Sequence, residues 1–207
     1  MKEESVNISS GTLKLEGLIA RAAGSQSARG AVVCHPHPLY GGSMHSNVVE
    51  AILEALWKSG FATLRFNFRG VGASEGEHSG GAGETDDAAA AMRFLFSQPG
   101  IVSEAAIMAG YSFGAAIAMR AGATLNEVAT IAAIALPVGM GDFSAAATSG
   151  KKILLLAGDH DAYCPKNGIT SLAEGCAARL KIIEGADHFF GGYEDALTDA
   201  LVELLGT

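Results

Sequence analysis

Ala105-Ala106-Ile107-Met108-Ala109-Gly110-Tyr111-Ser112-Phe113-Gly114-Ala115-Ala116-Ile117-Ala118-Met119 is the most informative stretch of this 207-residue chain. Its first five residues are apolar on both faces, as a strand covered by helices on either side should be. Its last five form helix readily. Between them, Gly110-Tyr111-Ser112-Phe113-Gly114 fits G-x-S-x-G, a sharp strand-to-helix turn that exposes a serine hydroxyl above a sheet. Glycine stands two residues either side because a side chain there would collide with the neighbouring strand and helix. The helix N-terminus behind the serine favours developing negative charge. The pattern alone is weak: with 16 serines and 27 glycines, chance supplies about 0.3 matches. A decoy indeed occurs at Gly72-Ala73-Ser74-Glu75-Gly76, with no strand directly before Ser74 and no helix directly after it. Context therefore selects Ser112.

Outward from this turn, short apolar runs alternate with helical patterns. Residues 5–9 and 13–20 read as an opening hairpin joined around Ser10-Gly11. Residues 31–34, 62–66, 105–109, 131–136, 153–157 and 179–183 follow as strands. Val48, Val49, Ile52, Leu53, Leu56 and Trp57 recur at helical spacing up to Ser59-Gly60. Thr85-Asp86-Asp87 opens a second helix, with Met92, Leu95 and Phe96 toward the core. Residues 115–123 form a third helix, 172–177 a short fourth, and Leu197, Leu201, Leu204 and Leu205 the stripe of a last one. This alternation predicts the α/β class: an open, mostly parallel sheet flanked by helices, with ligands at the carboxyl ends of the strands. Residues 1–207 read as a single domain, since no repeat or linker divides them. Residues 70–83 (GVGASEGEHSGGAG) read as a mobile loop, and most of the 27 glycines fall in loops after the third to eighth strands, on the rim where a site belongs.

Composition removes other classes of function. The net charge is -8, and no Lys/Arg cluster exceeds Lys151-Lys152, so the electrostatic footprint of a nucleic-acid binder is missing. The longest apolar run, 128–136, is too short to span a bilayer, and the acidic start Met1-Lys2-Glu3-Glu4 lacks a signal-peptide core. Cys34, Cys164 and Cys176 show no C-x-x-C spacing and fit thiols in a reducing cytoplasm. A homo-oligomer is compatible with the sequence.

A serine hydroxyl needs a base to take its proton. His188, just after the last apolar strand in Glu184-Gly185-Ala186-Asp187-His188, falls on the same sheet edge as Ser112 and in the chain order expected of this turn. His45 and His160 also occupy rim loops, but neither lies downstream of a suitable acid. The orienting carboxylate comes from a loop between Ser112 and His188: Asp159 and Asp161 both follow the strand 153–157, and Asp142 is a third candidate. His35-Pro36-His37-Pro38-Leu39-Tyr40-Gly41-Gly42 suits an oxyanion loop. Pro36 and Pro38 have no N–H, which leaves His37 or Leu39 as the first donor; flanking prolines favour His37, with Phe113 as the second. His35-x-His37 as half a metal site lacks partners at ligand spacing, so no metal is expected. Arg65 and Arg69 flank a rim loop where a substrate carboxylate could meet them, although Arg69 reads as structural.

HPHPLYGG (35–42), RFNFRGVGASEG (65–76) and GYSFG (110–114) together resemble the α/β-hydrolase superfamily, within it small bacterial hydrolases near the dienelactone hydrolases. The resemblance spans essentially the whole chain. It implies an eight-stranded sheet with only its second strand antiparallel. It also implies a triad acid at Asp161, from G-x-x-D-x-x-x-P over Gly158–Pro165, and a triad histidine at His188, from G-x-x-H. Two departures are informative: His35-Pro36 replaces the His-Gly of many relatives, and serine replaces the cysteine of true dienelactone hydrolases, which favours ester chemistry. Only 16 residues separate Leu136 from Ile153, too few for a helical cap. The expected site is therefore open, edged by the 70–83 loop and by Tyr40, Phe143, Tyr163, Phe189 and Phe190, with Tyr40, Tyr163 and Phe189 taken as substrate contacts. The expected protein is a cofactor-free serine hydrolase of small esters. A thioesterase, small peptidase or acyltransferase would use the same residues, and a non-catalytic binding protein is the alternative of another class.

Overall fold

A strand that is apolar on both faces has no side to give to water, so it must lie in a sheet with helices on both faces. The computed structural model of this protein describes residues 2–21 and 27–206 and meets that demand with one eight-stranded sheet. The strands are β1 (Glu3–Ser10), β2 (Leu13–Ala20), β3 (Ala28–Cys34), β4 (Ala62–Phe66), β5 (Ile101–Tyr111), β6 (Val128–Ile134), β7 (Lys152–Gly158) and β8 (Arg179–Ile183). The helices are α1 (Asn47–Lys58), α2 (Ala82–Phe96), α3 (Phe113–Thr124), α4 (Ser144–Ala147), α5 (Lys166–Gly175) and α6 (Glu194–Gly206). The strands lie in the order β1-β2-β4-β3-β5-β6-β7-β8. β2 is antiparallel to β1 and β4, and all later pairs are parallel, so β2 alone is reversed.

Alternation along the strands divides the core between the two faces. Val32, Cys34, Ala106 and Met108 join α2, α3 and α5 on one side. Val33, Ile107, Ala109 and Tyr111 join α1 and α6 on the other. No helix among the described residues is long and apolar enough to cross a membrane.

Four details differ from the sequence-based expectation. First, α2 starts at Ala82 rather than Thr85 because Glu84 supplies the cap: its carboxylate accepts the N–H of Ser79 at 2.8 Å and of Gly81 at 2.7 Å. Asp87 instead turns inward to Arg69 and Ser10. Second, β6 stops at Ile134, because Ala135 adopts a positive φ of 49°. Third, α5 begins at Lys166, six residues ahead of the expected start; only Ile169 and Ala173 are buried, too sparse a stripe to see in sequence. Fourth, the 70–83 segment is not a free loop. The Glu75 N–H donates to Lys14 O at 2.9 Å and the Ala73 N–H to Glu16 Oε1 at 2.8 Å. The decoy Ser74 is buried; its Oγ donates to Asn67 O at 2.7 Å and accepts the Glu16 N–H at 3.0 Å. Ser74 is a clamp on β2, not a nucleophile.

Candidate active site

β5 delivers Ser112 into a turn that L-residues adopt only under constraint, with φ 54° and ψ -119°. Two backbone hydrogen bonds hold it there: the Ser112 N–H donates to Ile134 O at 2.9 Å, and Ser112 O accepts the Ala115 N–H at 2.9 Å, starting α3. The framing glycines are required by close backbone approach. A Cβ on Gly110 would overlap the Gly114 carbonyl, and one on Gly114 would overlap the carbonyl oxygens of Cys34 and His35. Backbone cannot step aside as a side chain can. Gly114→Ala is therefore expected to cost about 3 kcal/mol or more of stability, seen as a fall in thermal midpoint. Gly139→Ala, whose Cβ meets nothing within 4 Å, is expected to stay within about 0.5 kcal/mol.

β8 leads to His188, whose Nε2 lies 2.9 Å from Ser112 Oγ and whose Nδ1 lies 2.8 Å from Asp161 Oδ2. A carboxylate only accepts, so its partner Nδ1 carries the proton and Nε2 faces the hydroxyl as an acceptor. Asp161 is aimed by two further bonds to its Oδ1, from the Tyr163 N–H at 2.8 Å and the Cys164 N–H at 2.9 Å. The rival acids have other work. Asp159 accepts the Gly185 N–H at 2.7 Å, tying the loop after β7 to the loop after β8. Asp142 caps α4 through the Ser144 N–H at 2.8 Å.

Positioning groups that sequence reasoning missed surround His188. Tyr111 Oη donates to His188 O at 3.0 Å. Asp187 accepts the N–H groups of Phe189 and Phe190, and Asn47 Nδ2 donates to Phe189 O at 3.1 Å. Tyr111 sits inside the G-x-S-x-G motif itself, where the pattern leaves its position free.

The loop after β3 is shaped by a buried His35. The Phe68 N–H donates to its Nε2 at 3.0 Å, so Nδ1 bears the proton and donates to Pro36 O at 2.6 Å. The bond accepted by Nε2 requires a neutral ring, and burial, outweighing the Pro36 bond that favours the charged form, pushes its pKa down from 6.5 to about 4. The unfolded chain thus takes up a proton that the folded chain refuses between these values. Stability is full above pH 6.5 and falls as pH drops toward 4, by on the order of 3 kcal/mol for this residue. In denaturant titrations, the stability advantage of wild type over His35→Gln should shrink by about 2 kcal/mol between pH 7 and pH 4.5.

Beyond His35 the loop presents His37, whose ring packs on Tyr40, His78 and Phe113. Burial, and then the neighbouring His78, lower the His37 pKa. No acceptor among the described residues takes the backbone N–H of His37 or of Phe113. Both residues line the cleft that contains Ser112 and His188, a cavity of about 650 Å³.

Tyr40, Tyr163 and Phe189 also line this cleft. The other two rim aromatics expected from sequence do not: Phe143 and Phe190 are buried, one in each core face. None of residues 70–83 lines the cleft, although the His78 ring packs against two lining residues, His37 and Phe113. His45 and His160 are not in its wall. Pro137, Gly139 and Met140, from the turn after β6, complete one side and carry no motif that could have marked them. Both candidate arginines are engaged elsewhere. Arg65 is buried against Glu3 at 2.6 Å and Met44 O at 3.0 Å, and Arg69 grips Asp87 at 2.7 and 2.9 Å. Among the described residues no cluster of three or more His, Cys, Asp or Glu side chains could hold a metal ion.

Residues 26–140 match the family model for serine aminopeptidase, S33. The chain is 36% identical over 204 residues to an uncharacterised protein of Rickettsia prowazekii, covering 94% of this chain and 85% of that one. Two solved structures are similar throughout. An α/β serine hydrolase homologue from Coxiella burnetii superposes with a TM-score of 0.90 at 32% identity, covering 98% of this chain and 97% of that one. A lidless α/β serine hydrolase from Xanthomonas campestris gives 0.88 at 29% identity, covering 100% and 94%.

Proposed function

This chain belongs to the α/β-hydrolase superfamily, and from that membership we propose that it is a serine hydrolase cleaving small esters through Ser112, His188 and Asp161. Ser112 Oγ attacks the ester carbonyl, forming the O–C bond as its proton passes to His188 Nε2. Asp161 holds the ring by Nδ1 and stabilises the imidazolium. The N–H groups of His37 and Phe113 receive the oxyanion. Collapse expels the alkoxide, which takes the proton from Nε2, and water repeats the sequence to release the acid and free Ser112. Nucleophile, base and donors all come from the chain, so the reaction as proposed calls for no cofactor.

The observation that carries this reading is the unbroken hydrogen-bonded series Ser112–His188–Asp161 opening onto the cleft. An aminopeptidase needs in addition a carboxylate to hold the substrate's α-ammonium group, and the cleft wall contains no Asp or Glu. That difference favours an ester over the N-terminus of a peptide. The test is a fluorophosphonate adduct mapped by mass spectrometry, beside turnover of p-nitrophenyl acetate and of leucine p-nitroanilide. The expected result is an adduct on Ser112 with turnover of the ester and not of the anilide. An adduct elsewhere removes Ser112 from its role, and preference for the anilide overturns the esterase reading.

A further inference from the structure

We infer that the cleft selects esters that are uncharged and apolar in both their acyl and alcohol parts, binding them on a water-exposed aromatic rim with no ionic anchor. This rests on the esterase reading above. Two independent features of the wall support it.

The first is charge. Seventeen per cent of the chain is Asp, Glu, Lys or Arg, so a wall of 16 residues drawn at random would carry two or three of them. It carries none. Its polar side chains are Ser46, Asn47, Ser112, the tyrosine hydroxyls and the imidazoles of His37 and His188. Asn47 is moreover occupied, donating to Phe189 O and Glu194. Arg65 and Arg69 are turned into Glu3 and Asp87, and Arg120, outside the wall, donates to Met140 O at 3.0 Å. A charged substrate group entering this wall would lose water and meet no carboxylate, ammonium or guanidinium group of opposite charge.

The second feature is where the apolar surface lies. Among the described residues the large hydrophobic side chains left exposed are Leu39, Tyr40, Met140, Tyr163 and Phe189. Four of them line the cleft, and Leu39 sits beside Tyr40 in the same turn. Tyr40 is 87% and Tyr163 63% exposed, so neither serves the core. Apolar surface gathered at one rim while the rest of the exterior stays polar is the signature of a binding surface. The rim stands on both sides of Ser112: Tyr40 belongs to the loop after β3, on one side of β5, and Met140, Tyr163 and Phe189 to the loops after β6, β7 and β8, on the other. Apolar groups on either side of the scissile bond therefore have a wall to cover.

The test compares three methyl esters that share a six-carbon acyl chain and differ at its end: dimethyl adipate, monomethyl adipate and methyl 6-aminohexanoate, followed by pH-stat at pH 7.5. The neutral diester is expected to exceed both charged esters in kcat/KM by about 30-fold. The ammonium ester is the demanding comparison, because a net charge of -8 attracts cations toward the protein, leaving only the wall to reject it. An advantage below about tenfold over either charged ester overturns the inference. Fluorophosphonate labelling on the same preparation separates the two levels. Labelled Ser112 with a preference for a charged ester overturns the substrate class and leaves the hydrolase mechanism standing. No label and no turnover brings down both.

Discussion

Ser112→Ala is expected to lower kcat/KM for p-nitrophenyl acetate by about 10⁴-fold or more and to abolish fluorophosphonate labelling, with the fold intact. The hydroxyl has one polar partner, His188 Nε2 at 2.9 Å, and alanine adopts the same strained backbone without a new clash. The loss should therefore appear in the rate and not in the thermal midpoint. What activity survives would come from water attacking a carbonyl already held by the His37 and Phe113 N–H groups. Full labelling of the variant would place the nucleophile elsewhere. Ser74, the other serine in a G-x-S-x-G frame, offers no substitute, since its buried Oγ is spent between Asn67 O and the Glu16 N–H.

The second large effect separates two aspartates that stand two residues apart. In Asp161→Asn the side-chain oxygen can keep the Tyr163 and Cys164 N–H groups, which turns the amide NH₂ toward His188 Nδ1. The ring must then carry its proton on Nε2, facing Ser112 with a donor where an acceptor is needed. The expected loss in kcat is about 10⁴-fold, with partial recovery at alkaline pH where the hydroxyl ionises unaided. Asp159→Asn retains an oxygen to accept the Gly185 N–H and should cost less than about tenfold. Measuring kcat for both variants decides the matter: comparable losses, or the reverse ranking, would remove Asp161 from the mechanism.

The legible parts of the fold and the site were those written locally. A strand, a glycine-framed serine and a helix are contiguous from 105 to 119, so the elbow needs no tertiary information. Strand-and-helix alternation likewise specified the parallel sheet. The choice between Asp159 and Asp161 was not local from the residues alone, since both follow the end of β7 and only the pairing of β7 with β8 brings one of them to His188. The family resemblance pointed to Asp161 where periodicity could not. Arg65 was unreadable for a similar reason: its partner Glu3 lies 62 residues away. Phe189 and Phe190 are neighbours in sequence, yet one lines the cleft and the other is buried under α6, because Phe190 takes a φ of 53° in the turn that Asp187 holds. The glycine-rich rim was also only partly about the site. Gly41, Gly42 and Gly139 line the cleft, whereas the 70–83 glycines allow that segment to fold back on β2.

The connection from β6 to β7 holds only a three-residue 3₁₀ turn and the four-residue α4. Many enzymes of acyl transfer protect a reactive intermediate by closing over it, so that the next acceptor is chosen by what is admitted. Here nothing between these strands is long enough to close. An acyl group on Ser112 would face bulk solvent as soon as the alcohol left, and the solvent would win the competition for it by sheer abundance. On the reading proposed above, the short connection would favour hydrolysis over transfer to a second alcohol, and it supplies no flap of its own that would have to open.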